Sequence, residues 1–218
     1  RGPRPVPGPT RDGDGTPAVH ALAPLGTLTA GQLRGVADLA DLTGREGTGA
    51  PRVTPWRGLV LPLAPAPGDP APDTGAARAV RVLEATGLIT RPDEPWHGVG
   101  ACTGRPGCGR ALADVRADAA RVHTRRRDPA ALPVHWSGCS RRCGRPRGGP
   151  WIDVLAEPDG YRVTLRDADG APANLPGGSP GGRERTGEPP GAAPPTPPPL
   201  PVDGVATALA ALARGASP

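Results

Sequence analysis

Four cysteines constrain this chain more than any other feature. They are Cys102, Cys108, Cys139 and Cys143, spaced as C-x5-C, then 30 residues, then C-x3-C. All four lie in glycine-rich segments, where the backbone can approach a bulky inorganic centre and its amides can donate hydrogen bonds to sulfur. We also expect Cys108 at the start of a helix, where free N–H groups favour a thiolate.

Three interpretations of the cysteines compete. A structural zinc site usually uses C-x2–4-C pairs, and only Cys139 and Cys143 fit that spacing. Disulfides or free core cysteines are the plainest alternative, but all four cysteines fall within 42 residues and are flanked by glycine. An iron–sulfur cluster held by four thiolates is the interpretation that the pattern favours.

Composition leaves both a disordered and a globular chain open, and the charge favours the globular one. Of 218 residues, 33 are Gly and 33 are Pro, and Phe is absent. The net charge of +5 is modest, whereas disordered chains usually carry a high net charge. No apolar run is long enough to cross a bilayer and no signal peptide is evident, so we expect a cytoplasmic protein without a membrane partner.

The order of predicted elements suggests two folded parts with unstructured ends. We expect a disordered arm over 1–17, folded parts over 18–94 and 95–170, and a Pro/Gly-rich tail over 171–218 with a short terminal helix. The predicted elements are a strand over 18–23, a helix from the Thr29–Gln32 capping box to Gly44, a bent strand over 52–63, helices over 75–85 and 111–122, a strand over 132–136, and a hairpin of 151–155 and 161–165.

Several segments resemble one family. Val-His-Trp-Ser-Gly-Cys-Ser-Arg-Arg-Cys over 134–143, Ala-Cys-Thr-Gly over 101–104, Arg-Val-Thr-Pro-Trp-Arg over 52–57 and the segment 25–33 resemble the nitrite/sulfite reductase superfamily, and within it the precorrin-3B synthase branch. The resemblance covers about 18–176. It implies an α+β fold in which a ferredoxin-like half-domain over 18–94 precedes a [4Fe–4S] half-domain over 95–170, followed by a disordered tail.

The same resemblance implies an oxidoreductase. In the precorrin-3B synthase branch, precorrin-3A is hydroxylated with O2 and closed to a lactone during aerobic cobalamin biosynthesis. The resemblance assigns the four cysteines to a [4Fe–4S] cluster that delivers electrons, with a second, non-haem iron for the oxygen chemistry. No nucleotide-binding motif is present, so NADH would act through a reductase. The alternatives are a sirohaem-dependent nitrite or sulfite reductase fragment, with Cys143 bridging to sirohaem iron, and a non-catalytic metal-binding module.

Two departures from the family pattern are visible. Full-length members resemble a tandem duplication, and this chain matches only the second pair of half-domains, so an amino-terminal half is an expected partner. Family members often carry Lys between the last two cysteines, where this chain has Arg141 and Arg142. Arg keeps the charge but cannot supply a compact ammonium.

The basic charge is concentrated around the cysteines. Residues 97–150 hold 11 Arg and 3 Asp, and this positive field suits a carboxylate-rich tetrapyrrole. The candidates for substrate binding are Arg52, Arg57, Arg105 and His135, while the catalytic residues are not identified. No nucleic-acid-binding motif or stacking platform accompanies the Arg residues, so a nucleic-acid partner is not expected.

Overall fold

The computed structural model describes residues 5–11, 13, 15–43, 50–63, 72–126, 130–173 and 198–213. It has a mixed α/β architecture with two four-stranded sheets, which confirms the predicted fold class. The described residues form two compact units, the first ending at Val99 and the second beginning at Gly100. Among these residues, no helix has both the length and the apolar character needed to cross a membrane.

The first unit is an antiparallel sheet covered by two helices. Its elements are β1 (Gly8–Arg11), β2 (Pro17–Leu22), α1 (Ala30–Thr43), β3 (Arg52–Thr54), β4 (Gly58–Pro62) and α2 (Pro72–Ala85), and the strand order is β1-β2-β4-β3. Alternate residues Val19 and Ala21 on β2 point into the same core as Leu59 and Leu61 on β4. This alternation gives the sheet one apolar face, which α1 and α2 cover.

Two local predictions in this unit are confirmed. The Thr29 amide donates to Gln32 Oε1 at 2.9 Å, and the Gln32 amide donates to Thr29 Oγ1 at 3.2 Å, as a capping box requires. Gly87, just after α2, has a φ of +80°, the left-handed conformation that ends helices.

Two other predictions in this unit are wrong. The bent strand over 52–63 is instead the hairpin β3–β4, because Pro55 cannot donate to the ladder and Arg57 turns the chain with a φ of +65°. The amino-terminal arm is not wholly unstructured, since Gly8–Arg11 pairs with β2 as an edge strand.

The second unit is a mixed sheet with its helices on one face. Its elements are β5 (Val99–Ala101), α3 (Val115–His123), β6 (Val134–Ser137), β7 (Trp151–Glu157), β8 (Gly160–Arg166) and α4 (Val202–Ala213). The order is β5-β6-β7-β8, with β6 and β7 parallel and β7 and β8 antiparallel, so the predicted hairpin is confirmed. α3 packs on β6 and on α4, which also packs on β8.

Two predictions for this unit need correction. The helix predicted over 111–122 begins at Val115, because the Asp114 side chain accepts the Ala117 amide at 3.1 Å and caps the helix there. Cys108 therefore lies in a loop, not at a helix start. The terminal helix exists but is not a free tail: Leu200 pairs with Tyr161, and Val205 and Leu209 of α4 are buried. The tail over 174–197 lies outside the described residues.

Candidate metal centre

The four cysteines lie on two loops that touch. The first cysteine loop (102–114) follows β5, and the second cysteine loop (138–149) follows β6, its neighbour in the sheet. The Cys102 amide donates to the Trp136 carbonyl at 2.9 Å, and the Leu112 amide donates to the Gly138 carbonyl at 2.8 Å. The sheet therefore brings together loops that are far apart in the sequence.

Gly138 contacts the sulfur of Cys102 where the two loops touch. The Gly138 amide donates to Cys102 Sγ at 3.2 Å. A Cβ on Gly138 would lie 2.7 Å from the Ala111 Cβ and 3.6 Å from that sulfur, so only glycine fits. The predicted reason for glycine beside the cysteines, close backbone approach and an amide aimed at sulfur, applies at Gly138.

The thiols are available for metal binding. All four are free, with Cys143 exposed and the other three half-buried. Within the described part of the chain, no three His, Cys, Asp or Glu side chains are arranged to hold a single metal ion. Four free cysteines on two hydrogen-bonded loops, with an amide directed at the sulfur of one of them, are the residue type that holds an iron–sulfur cluster.

The second cysteine loop is fixed to the sheet by the side chains of Arg142 and His135. Arg142 adopts a φ of +47°, and its Nε donates to Asp153 Oδ2 on β7 at 2.6 Å. His135 on β6 donates from Nε2 to the Cys143 carbonyl at 3.0 Å. Asp153 and His135 are each 1% exposed, so the loop is anchored to the buried part of the unit.

The predicted substrate-binding residues are distributed over both units. Arg52 is exposed on the edge strand β3, and Arg57 is exposed in the turn after it, with its stem against Gly26. Arg105 lies in the first cysteine loop, where its Nε donates to the Ala111 carbonyl at 2.8 Å. His135 is buried and faces the Cys143 carbonyl, which favours an anchoring role. Substrate binding by these four residues stays a prediction.

The tryptophans of the second unit are core residues. Trp136 and Trp151 are fully buried. The Trp136 Nε1 donates to His123 Nε2 at 3.2 Å, and its ring meets Tyr161 edge-on. Burial and the nearby Arg126 lower the pKa of His123 to about 3, so this imidazole is neutral at physiological pH.

Asp153 is the site residue that sequence reasoning missed. Its only sequence signal is an acidic residue in the middle of the apolar strand Trp151–Glu157. Within such a strand, a buried carboxylate must be matched by a cation from elsewhere in the fold. The sequence offers many arginines and does not show which of them reach this carboxylate.

Comparisons with known proteins bear on the family and the fold of this chain. Residues 9–66 match the family model described as the nitrite/sulfite reductase ferredoxin-like half domain. The chain is 32% identical over 136 residues to a chloroplastic ferredoxin–nitrite reductase of Zea mays, covering 61% of this chain and 22% of that protein. It is 29% identical over 167 residues to an assimilatory ferredoxin-dependent nitrite reductase of Haloferax mediterranei, covering 71% and 26%.

Two further comparisons concern the other branch and the fold. A precorrin-3B synthase of Sinorhizobium sp is 26% identical over 125 residues, covering 56% of this chain and 25% of that protein. The solved structure of Mycobacterium tuberculosis NirA protein superposes with a TM-score of 0.53 at 22% identity, over 76% of this chain and 33% of that one, which shows the shared fold.

The chain spans about a quarter of the length of the curated relatives it matches. The relatives from Zea mays and Haloferax mediterranei are nitrite reductases, and the one from Sinorhizobium sp is a precorrin-3B synthase. The family match is confined to residues 9–66, and the matched relatives include both nitrite reductases and a precorrin-3B synthase.

Proposed function

We propose that this chain is the cluster-binding part of an oxidoreductase that acts with an anionic tetrapyrrole. The observation that carries the proposal is the junction of the two cysteine loops, where the Gly138 amide donates to Cys102 Sγ at 3.2 Å. Cys102, Cys108, Cys139 and Cys143 would hold a [4Fe–4S] cluster. When bound, the cluster supplies single electrons.

The residues of the chain have two tasks in this proposal. The first is to set the electrostatics of the thiolates through backbone amides such as that of Gly138, which lower the energy of the negative charge on sulfur. The second is to attract the tetrapyrrole. Exposed arginines on the two cysteine loops, which include Arg105, Arg110, Arg141 and Arg147, provide guanidinium groups suited to carboxylates.

Two tetrapyrroles fit this chemistry, and each corresponds to one branch of the family. A precorrin-3B synthase-like reaction uses the tetrapyrrole precorrin-3A as substrate, with O2 and a second, non-haem iron. A nitrite reductase-like reaction uses sirohaem as a cofactor next to the cluster. The motif over 134–143 favours the first, and the relatives from Zea mays and Haloferax mediterranei favour the second.

The activity of the whole enzyme requires more than this chain in either case. Because the chain spans about a quarter of its relatives' length, we propose that a second pair of half-domains completes the tetrapyrrole site. An electron donor is also required, either ferredoxin as in the relatives' names or NADH through a reductase.

Anaerobic reconstitution with iron and sulfide tests the cluster. We expect a broad charge-transfer absorption with about four iron and four sulfide per chain, lost in Cys139→Ala. Ser140→Ala, a change in the same loop that removes no thiol, is the matched control and should retain the absorption. Tight zinc binding with no iron–sulfur absorption would overturn the proposal and leave a structural metal module.

Adding tetrapyrroles to the reconstituted protein distinguishes the two branches. A haem Soret band that appears with sirohaem and is retained on gel filtration indicates the nitrite reductase branch. Retention of a metal-free precorrin without sirohaem binding indicates the precorrin-3B synthase branch. If neither is retained, even with a co-expressed second pair of half-domains, the tetrapyrrole part of the proposal is wrong.

A further inference from the structure

The buried carboxylate of Asp153 lies beneath the second cysteine loop. Asp153 sits on β7, is 1% exposed, and is paired in register with His135 on the parallel strand β6. Its Oδ2 accepts from Arg142 Nε at 2.6 Å and from Arg166 Nε at 3.1 Å. One carboxylate oxygen thus joins the cysteine loop to strand β8.

The loop residue in this contact has an unusual backbone. Arg142 has a φ of +47°, a conformation that side-chain-bearing residues rarely adopt. Its amide donates to the Cys139 carbonyl at 3.2 Å, its carbonyl accepts the Arg145 amide at 3.2 Å, and its NH1 donates to the Ser140 carbonyl at 3.1 Å. The turn that separates Cys139 from Cys143 is therefore built around Arg142, and the ion pair with Asp153 holds its side chain.

Burying the Asp153 carboxylate costs free energy, which indicates that this residue has a role beyond stability. Among the residues that the structure describes, none donates a hydrogen bond to the buried Asp153 Oδ1, although the carboxylate is almost wholly removed from water. A buried ion pair of this kind often contributes little net stability compared with apolar side chains of similar size. What it does provide is a fixed geometry, because the planar guanidinium accepts few orientations against a carboxylate.

We infer that Asp153 is a positioning residue that sets the second cysteine loop for cluster binding by holding Arg142. Arg166 fixes the carboxylate from the side of β8, and His135 fixes the middle of the loop through the Cys143 carbonyl. The anchoring of the loop by Asp153 does not depend on the proposed function, whereas its effect on cluster binding rests on that function.

The first test uses the cluster-free protein. Asp153→Asn and Arg142→Gln should make the backbone amides of 140–148 exchange with deuterium about tenfold faster, which corresponds to about 1.4 kcal/mol. Glu157→Gln is the matched control. It weakens a different ion pair on the same sheet, Arg162–Glu157, whose Nε–Oε1 distance is 2.6 Å. Unchanged exchange in the Asp153 and Arg142 variants would overturn the inference. If Asp153→Asn does not fold, Arg142→Gln carries this test.

The second test uses the reconstituted protein and separates a positioning role from a purely structural one. We expect Asp153→Asn to lose its cluster to a chelator about tenfold faster and to shift the midpoint potential upward, because a negative charge is removed. Arg142→Lys, which keeps the charge, should restore part of the retention lost in Arg142→Gln. A lower melting temperature with wild-type potential and chelation rate would overturn the inference. If the wild-type chain binds no cluster, the proposed function fails. The exchange test still shows whether the contact between Asp153 and Arg142 holds the second cysteine loop.

Discussion

The Gly138 amide donates a hydrogen bond to Cys102 Sγ at 3.2 Å, and so joins residues 36 positions apart. The contact links the first residue of one cysteine loop to the first residue of the other. Amide hydrogen bonds to sulfur stabilise the thiolate and influence the reduction potential of any centre that the sulfur binds. A single glycine therefore affects both the packing of the loops and the chemistry of the sulfur.

Gly138→Ala should damage this junction. The new Cβ would lie 2.7 Å from the Ala111 Cβ, closer than carbon atoms approach, so the two loops must separate. We expect a loss of about 1–3 kcal/mol in the free energy of unfolding and reduced iron incorporation. Denaturant titration and iron counts after reconstitution measure the two effects.

Gly109→Ala is the control for this prediction. It lies in the first cysteine loop, and a Cβ there would meet nothing within 4 Å. The control should keep wild-type stability and iron content. Equal effects of the two substitutions would show that any added methyl in these loops is harmful, and that the contact at Gly138 has no special role.

Local sequence patterns predicted most of the elements, because the forces that define them act between near neighbours. The Thr29–Gln32 capping box, the strand at Pro17–Leu22 and the β7–β8 hairpin follow from residues a few positions apart. The start of the third helix was missed because Ala111 and Leu112 look helical, whereas Asp114 caps the helix later. Edge strand β1 has little sequence signal, since its ladder partner supplies its stability.

The candidate metal centre could be predicted only as a set of ligands. The cysteine spacing and the glycines beside them indicated two loops, but their junction depends on β5 and β6 being neighbours in the sheet. The anchor at Asp153 depends on the parallel pairing of β6 with β7 and on Arg142 reaching across from the loop. Such contacts between distant parts of the chain leave no local pattern.

The capping box of α1 should contribute measurably to the stability of the first unit. Thr29→Ala removes the side-chain acceptor of the Gln32 amide, and we expect a loss of about 1 kcal/mol in the free energy of unfolding. Thr29→Ser, which keeps the hydroxyl, should restore most of it. A serine variant as unstable as the alanine variant would instead assign the effect to the lost methyl group.

His123 should make the second unit less stable in mild acid. Burial and Arg126 lower its pKa to about 3 from 6.5, so between these values the unfolded chain binds a proton that the folded chain does not. The free energy of unfolding that depends on neutral His123 is therefore fully present above pH 6.5 and decreases as the pH drops towards 3. At pH 5 the protein should have lost about 2 kcal/mol of it.

His123→Gln isolates this contribution because Gln does not titrate and its carbonyl can accept from Trp136 Nε1. Unfolding free energies of both proteins at pH 7 and pH 5 give the measurement. The wild-type protein should lose about 2 kcal/mol more than the variant between the two pH values. Equal losses would mean that His123 is accessible to protons in the folded state.

The carboxy-terminal helix should behave as part of the second unit. Leu209 is 1% exposed on α4, which packs against α3 and β8, so Leu209→Ala should cost about 2–5 kcal/mol. Thr207→Ala, an exposed change on the same helix, should cost less than about 0.5 kcal/mol. Hydrogen exchange along β8 locates the effect, because Leu200 pairs with Tyr161 on that strand. If Leu209→Ala leaves both stability and exchange of β8 unchanged, the helix does not contribute to the unit that carries the cysteine loops.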